Sequence, residues 1–332
     1  MLLSRTCDDH AGSSPREVSR CGPAFSLSMK TPVLQDDALL EDILSVPDES
    51  GDFHLWWLGQ SGFLLKWHGK TLILDPYLSD SLTQKYAGTG KPHVRVTGRC
   101  IAPARLGFAD VISSSHAHTD HLDAATLIPL AGAHDGPLPL VLPSSSVALA
   151  RERLEGADFR FHPMDEGTVS EVSGFSFTGI PAAHDTLERD GEGRCRFLGY
   201  IVKFGPWTIY HSGDTRWFPE LPDLLRPHRA DVMLLPINGH DPARGVAGNL
   251  DGAEAAQLAA DCGAGLVIPC HYDLFEFNTA TPALFESTCR NLDQPYRILG
   301  CGGCFTSPRQ IGFPDKTISG KISEGPREEA QN

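Results

Sequence analysis

The chain has 332 residues, 41% of them hydrophobic and 21% charged, an ordinary globular balance that excludes a fibre or a wholly disordered polymer. Aspartate and glutamate outnumber lysine and arginine by 42 to 28, giving a formal net charge of −14. Such a field repels polyanions, so no nucleic-acid partner and no anionic membrane are expected, while a small anionic substrate met by local cations is compatible with it.

Nine cysteines, odd in number and scattered, do not form the pattern of a disulfide framework and point to a reducing, cytoplasmic setting. No segment approaches the ~18 consecutive apolar residues needed to cross a bilayer. The opening residues offer only Leu2-Leu3 ahead of Arg5, too little for the apolar part of an export signal.

Residues 1–30 are rich in Ser, Arg and Asp without periodicity and are predicted to be a disordered extension. A short helix follows, with Leu34, Leu39, Leu40, Ile43 and Leu44 on one face and Pro32 and Pro47 as brackets. Three strand-like runs come next, at 53–58, 62–67 and 71–74, the last two joined at His68-Gly69, a hairpin signal.

The polar stretch 79–106, carrying Lys85, Lys91, Arg95 and Arg99, reads as a long loop of the kind that serves function. Beyond it, apolar runs at 110–113, 138–142, 175–180, 200–204, 207–210, 232–236 and 266–269 alternate with helical patterns at 123–130, 145–154, 220–225, 251–262 and 281–292. The helix from Asp251 has the clearest ends: Asp251 as N-cap, Glu254 three residues on as its capping-box partner, and Gly263 as terminator. Strands and helices interleave without a long linker, so one domain is expected over 31–308, followed by a polar tail over 309–332. A homo-oligomer is compatible with this composition.

Chemistry concentrates where the run at 110–113 ends. His116, His118, Asp120 and His121 deliver four imidazole or carboxylate groups in six residues, with small Ala117 and Thr119 between them. These are the ligand types of Zn²⁺ and also of Mn²⁺ and Fe²⁺. Three more candidates stand just beyond apolar runs: His184, Asp214 and His271. Strand ends in a layered sheet can converge, so the set supplies five histidines and two aspartates, enough for two divalent cations.

Weaker signals surround this set. His240 and Arg244, in a loop after another apolar run, are candidate substrate-binding residues, Arg244 as a fork for a phosphate or carboxylate. Lys91, Arg95 and Arg99 are candidates for steering an anion, and His211 for supporting Asp214. Cys301-Gly302-Gly303-Cys304 lacks a second cysteine pair and reads as a Gly-Gly turn between strands.

The motif His116-x-His118-x-Asp120-His121, with a downstream histidine, a strand-end aspartate and a final histidine, resembles the metallo-β-lactamase superfamily. That resemblance implies an α+β fold, a four-layer αββα sandwich with its metals at one edge. Trp56-Trp57-Leu58-Gly59, Gly62-Phe63, Asp75-Pro76, Tyr210-His211-Ser212-Gly213-Asp214, Ile268-Pro269-Cys270-His271-Tyr272-Asp273 and Gly302-Gly303-Cys304-Phe305-Thr306 are similar to its L-ascorbate-6-phosphate lactonase group.

By this resemblance His116, His118 and His184 hold one cation and Asp120, His121 and His271 the other, with Asp214 bridging. The superfamily implies Zn²⁺, the lactonase group Mn²⁺. The implied activity is hydrolysis by a metal-bound hydroxide, with Asp120 orienting the nucleophile or carrying its proton. The substrate class is a lactone or ester of a small sugar-like molecule, with or without a phosphate. Two alternatives stay open: a phosphodiesterase, of the phospholipase D or nuclease type, and a non-catalytic, metal-stabilised binding protein.

Overall fold

A computed structural model of the chain describes residues 29–49 and 51–307. The tail expected over 309–332 and nearly all of the extension expected over 1–30 lie outside the described residues. Lys30, the last residue of that extension, is hydrogen-bonded to the chain: its N–H donates to Val96 O at 2.7 Å and its carbonyl accepts from Gly98 N at 2.9 Å.

Among the described residues are thirteen strands, seven α-helices and four short 3-10 helices. The strands are β1 (His54–Gly59), β2 (Gly62–Trp67), β3 (Lys70–Leu74), β4 (Val111–Ser113), β5 (Leu138–Pro143), β6 (Phe159–Met164), β7 (Val169–Val172), β8 (Phe175–Pro181), β9 (Leu198–Phe204), β10 (Trp207–His211), β11 (Val232–Pro236), β12 (Leu266–Cys270) and β13 (Cys304–Thr306). The α-helices are α1 (Asp36–Ser45), α2 (Ser81–Lys85), α3 (Ala124–Gly132), α4 (Val147–Arg153), α5 (Leu221–Leu225), α6 (Gly252–Cys262) and α7 (Ala283–Asn291).

They form a seven-stranded sheet in the order β13-β1-β2-β3-β4-β5-β6 and a six-stranded sheet in the order β12-β11-β10-β9-β8-β7. The expected α+β sandwich is the fold observed. Side chains alternate across a strand, and β1 shows the consequence: Leu55 and Trp57 enter the core between the sheets, Trp56 and Leu58 the core on the outer face of the first sheet. The same split places Phe63 and Leu65 of β2 inward and Leu64 outward.

A strand covered on both faces reads as a continuous apolar run, which is why these strands were visible in the sequence. Leu39 and Ile43 of α1, with Leu127 and Leu130 of α3, close the outer core, while Ala255, Leu258 and Ala259 of α6 and Phe285 of α7 pack on the second sheet. The ends of α6 follow the predicted chemistry: Asp251 accepts from Ala253 N and Glu254 N, Glu254 reaches back to Asp251 N, and Gly263 closes the helix at φ 65°.

Several elements depart from the sequence reading, among them β13, which pairs with β1 and has no strand directly before it to make Gly302-Gly303 a turn between strands. β6 and β7 were not expected, and each is the last strand of its sheet, half covered and rich in polar side chains, so neither shows an apolar run. The segment 79–106 is not wholly loop, since it opens with α2. Among the described residues no helix is long and apolar enough to cross a membrane.

Candidate metal centre and its cavity

Strand direction decides where the candidate residues meet. In the second sheet β10, β11 and β12 run parallel, and β8 regains that direction through antiparallel β9. The C-terminal ends of β8, β10 and β12 therefore share one edge, from which His184, Asp214 and His271 emerge. In the first sheet β3, β4 and β5 are parallel, and β2 and β1 alternate, so the β1–β2 turn lies beside the ends of β3 and β4. That edge carries Gln60, Asp75 and the segment His116–His121. Leu198 N donates to Ser115 O at 3.0 Å and Tyr200 OH to Ser114 O at 2.9 Å, joining the two edges.

The result is two groups of converging donor atoms, His116, His118 and His184 in one and Asp120, His121, Asp214 and His271 in the other, with each group's atoms within 4.8 Å of one another. Asp214 Oδ2 lies 3.3 Å from His121 Nε2, 3.5 Å from His271 Nε2 and 3.5 Å from His184 Nε2, so one carboxylate touches both groups. Asp120 Oδ2 stands 3.7 Å from both His121 Nε2 and His271 Nε2.

These groups fit divalent cations. Tetrahedral ligands at bonds of ~2.0–2.2 Å stand ~3.3–3.6 Å apart, close to the spacings above. Three imidazoles are oriented through Nδ1: His116 donates to Ser115 Oγ at 3.0 Å, His121 to Asp75 Oδ2 at 2.6 Å and His184 to Gly248 O at 2.8 Å. Each presents Nε2 to the centre, in the way metal-binding histidines are held. His116 Nε2, His121 Nε2 and Asp214 Oδ1 are buried without a hydrogen-bond partner, which buried polar atoms rarely tolerate unless something else is bound there.

Electrostatics agrees. Burial works to discharge His271, yet Asp214 and Asp120 hold its pKa up at about 9. His121 is likewise opposed by burial but driven well above the ordinary histidine range by Asp214 and Asp120. For Asp214, burial pushes upward and the imidazoles of His121 and His271 prevail, holding it well below the usual carboxylate range. The second group demands positive charge. His116 shows the opposite, its pKa driven well below 6.5 by burial and by the neighbouring imidazoles of His121 and His118, so its Nε2 lone pair is available.

Three residues that position this centre were not singled out as site residues in the sequence. Asp75, fully buried in the left-handed region at φ 41°, accepts from Ser115 N at 2.9 Å, from Ser115 Oγ and from His121 Nδ1. Gln60 donates through Nε2 to Asp120 Oδ2 at 2.9 Å, and Arg153 from the end of α4 donates to Ala117 O at 2.7 Å and Leu122 O at 3.0 Å, bracketing the ligand segment. Gln60, Asp75 and His271 all have positive φ, a backbone state that costs a non-glycine residue roughly 1–3 kcal/mol and tends to cluster at functional sites. The signals for Asp75 were its place just after an apolar run and its part in the Asp75-Pro76 motif, neither of which gave it a role. Gln60 and Arg153 gave none, since a polar turn residue and a helix-end arginine are commonplace.

Replacing Asp75 with alanine is expected to weaken cation binding by roughly 10–100-fold, the usual cost of losing a ligand's orienting partner. Calorimetric titration of the metal-stripped protein with Zn²⁺ checks this, and unchanged affinity would contradict the role.

Over the centre lies a cavity of about 400 Å³, walled on one side by Lys85, Tyr86, Lys91 and His93 from the segment 79–106 and on another by Val246 and Phe275. His93 stacks on Tyr86 at 4.6 Å and donates Nδ1–H to Lys91 O at 2.9 Å.

The weaker sequence candidates fall elsewhere. Neither His240 nor Arg244 lines the cavity: the Arg244 guanidinium is taken by Asn238 O at 2.7 Å and Asn278 Oδ1 at 3.3 Å, and His240 is exposed. Arg95 is tied to Asp80, Ser79 O and Thr97 O beneath the segment, and Arg99 points to solvent. Of the three cations expected to steer an anion, Lys91 alone reaches the cavity. His211 does not hold Asp214; its Nε2–H donates to Ser61 O at 2.8 Å and fixes the β1–β2 turn.

A family model described as a Beta-lactamase superfamily domain matches residues 72–272, which span the strand ends and every candidate ligand. The chain belongs to the metallo-β-lactamase superfamily. Within it, a UPF0173 metal-dependent hydrolase from Pelotomaculum thermopropionicum is 30% identical over 240 residues, 69% of this chain and 89% of that protein. Another, from Methanoculleus marisnigri, is 29% identical over 225 residues, 67% of this chain and 81% of its own length. A metallo hydrolase from the archaeon Ignicoccus hospitalis shares the fold at a TM-score of 0.56 and 22% identity, over 77% of this chain and 99% of that one. This metallo-β-lactamase-fold protein is thus a metal-dependent hydrolase of the UPF0173 family, with candidate histidine and aspartate groups for its metal.

Proposed function

We propose that the chain hydrolyses a lactone or ester of a small, anionic, sugar-like molecule at a pair of divalent cations. His116, His118 and His184 would hold one, Asp120, His121 and His271 the other, with Asp214 shared between them. The observation that carries the pair is the single Asp214 oxygen within 3.5 Å of imidazoles from both groups. Bound there, Zn²⁺ or Mn²⁺ would supply Lewis acidity and a water whose pKa falls from ~15.7 towards ~7.

The chain's own groups do the rest. Asp120, the more exposed of the centre's two carboxylates at 15% against 3% for Asp214, accepts a proton from water and returns it to the leaving oxygen. Lys85 donates to Thr119 Oγ1 and lies over the Tyr86 ring, Lys91 donates to Gly245 O, and neither has a carboxylate partner among the described residues, so both can receive an anionic group. A cavity of about 400 Å³ suits a small molecule. The motifs similar to the lactonase group favour ring opening, and the charge of −14 disfavours nucleic acid and anionic membrane as substrates. We place this activity in the cytoplasm, in keeping with the free thiols among the described cysteines.

A panel of phosphorylated and neutral lactones, run beside bis-p-nitrophenyl phosphate, tests the reading. Lactone turnover supports it; diester turnover without lactone turnover would replace it with a phosphodiesterase, and inactivity of the metal-loaded protein on both with a binding protein. A charged hydrogen bond contributes about 1.5–3 kcal/mol, so Lys85→Ala with Lys91→Ala is expected to raise KM for an anionic substrate roughly 10–100-fold and to leave a neutral analogue nearly unchanged. Equal effects on both substrates would remove the lysines from substrate binding.

A further inference from the structure

Gln60 occupies a position that backbone chemistry would normally give to glycine. It lies between Gly59 and Gly62 in the β1–β2 turn, at φ 50° and 4% exposed. Its carbonyl accepts from Trp57 Nε1 at 2.9 Å and from His271 N at 2.9 Å, and the next carbonyl, Ser61 O, is held by His211. Trp57 in turn stacks on Tyr272 at 4.5 Å. The turn is fastened on three sides, and the side chain it presents points at the second donor group.

The distances there are of two kinds. The imidazole and carboxylate atoms of Asp120, His121, Asp214 and His271 stand 3.3–3.7 Å apart where they neighbour one another, the spacing of tetrahedral ligands. The Gln60 amide terminus lies 2.9 Å from Asp120 Oδ2 and 2.9 Å from His271 Nε2. Ligands at right angles about an ion with ~2.0–2.2 Å bonds are ~2.8–3.1 Å apart, so the amide terminus stands where a fifth donor belongs. With NH₂ inward, the side chain competes with a cation for lone pairs of Asp120 and His271. A half-turn of the terminal amide exchanges NH₂ for Oε1, an oxygen that binds a cation directly.

We propose that Gln60 is a further ligand of the cation at Asp120, His121, Asp214 and His271, binding through Oε1. This neutral, hard oxygen favours cations that take five or six ligands, Mn²⁺ or Fe²⁺, over Zn²⁺ at that position. The inference rests on the cation-pair reading above.

The test uses the full chain, stripped with a chelator and titrated with Mn²⁺, Zn²⁺ and Co²⁺. Gln60→Leu is expected to weaken Mn²⁺ binding at one of two sites by roughly 10–100-fold, the scale set by losing a partner of a metal centre, and Zn²⁺ binding by much less. The visible Co²⁺ absorption should intensify as one ion drops from five ligands to four. Gln60→Glu, which keeps the length and always presents oxygen, should bind Mn²⁺ more tightly than the parent and remain informative should the leucine variant fold poorly, as judged by circular dichroism. Parent-like Mn²⁺-to-Zn²⁺ preference and an unchanged Co²⁺ spectrum in the folded variants would overturn the Gln60 assignment while leaving a two-cation hydrolase intact. A parent protein that binds fewer than two cations would overturn both.

Discussion

Replacing Asp214 with asparagine should leave a folded protein that has lost most of its turnover, by about 10³-fold or more in kcat/KM. The magnitude follows from asking one residue to support several kcal/mol of metal-dependent transition-state stabilisation, at ~1.36 kcal/mol per factor of ten. Asp214 is the residue for which the effect should be largest, because its Oδ2 neighbours His121, His271 and His184, and its loss disturbs both groups at once. Asparagine preserves the volume of a side chain that is 3% exposed, so no cavity is opened in the core. Elemental analysis after purification without added metal should show less than the parent's cation content.

His118→Ala and Asp120→Ala touch one group each and stand nearer the cavity surface, and each should abolish measurable activity with a parent-like circular dichroism spectrum. Undiminished turnover in all three variants would remove this centre from the chemistry.

The candidate ligands were legible because each is a local event at the end of an apolar run. A strand buried on both faces announces itself, and a histidine or aspartate just past its end is conspicuous. What the sequence does not carry is direction. His184, Asp214 and His271 meet because β8, β10 and β12 point the same way, a property of pairing partners rather than of any one segment.

The misplaced cations have a different cause. Arg95 and Arg244 look free in a sequence, but a guanidinium is available to a substrate only if no carbonyl or carboxylate of the protein has reached it first, and in both cases one has. Lys85 drew notice only as part of a polar stretch, yet α2 carries it to the cavity wall. Gln60 stayed hidden, and the role of Asp75 with it, because both depend on positive φ angles that glycine usually takes, and sequence patterns give no reason to expect a side chain directed from such a backbone.

Gly213 marks the point where fold and site cannot be varied independently, and Gly213→Ala is expected to damage both. Its φ of 58° lies in the left-handed region, which costs alanine about 1–2 kcal/mol. A Cβ at this position would stand 2.5 Å from Ser115 Cβ, 2.6 Å from Ser115 Oγ and 3.0 Å from Leu198 O. Leu198 N is itself bonded to Ser115 O, so backbone blocks retreat on one side and Ser115 must move. Overpacking of this kind costs a further ~1–3 kcal/mol, giving about 2–5 kcal/mol of lost stability in all.

Ser115 cannot move without consequence. Its hydroxyl donates to Asp75 and accepts from His116 Nδ1, so displacing it loosens the orientation of His116 in one group and, through Asp75, of His121 in the other. The variant should therefore show a lower melting temperature together with weakened cation binding in both groups. Gly132→Ala, where a new Cβ meets nothing within 4 Å, serves as the control and should be close to neutral in both measurements. Parent-like cation binding by Gly213→Ala would mean that Ser115 does not transmit order between Asp75 and the two histidines.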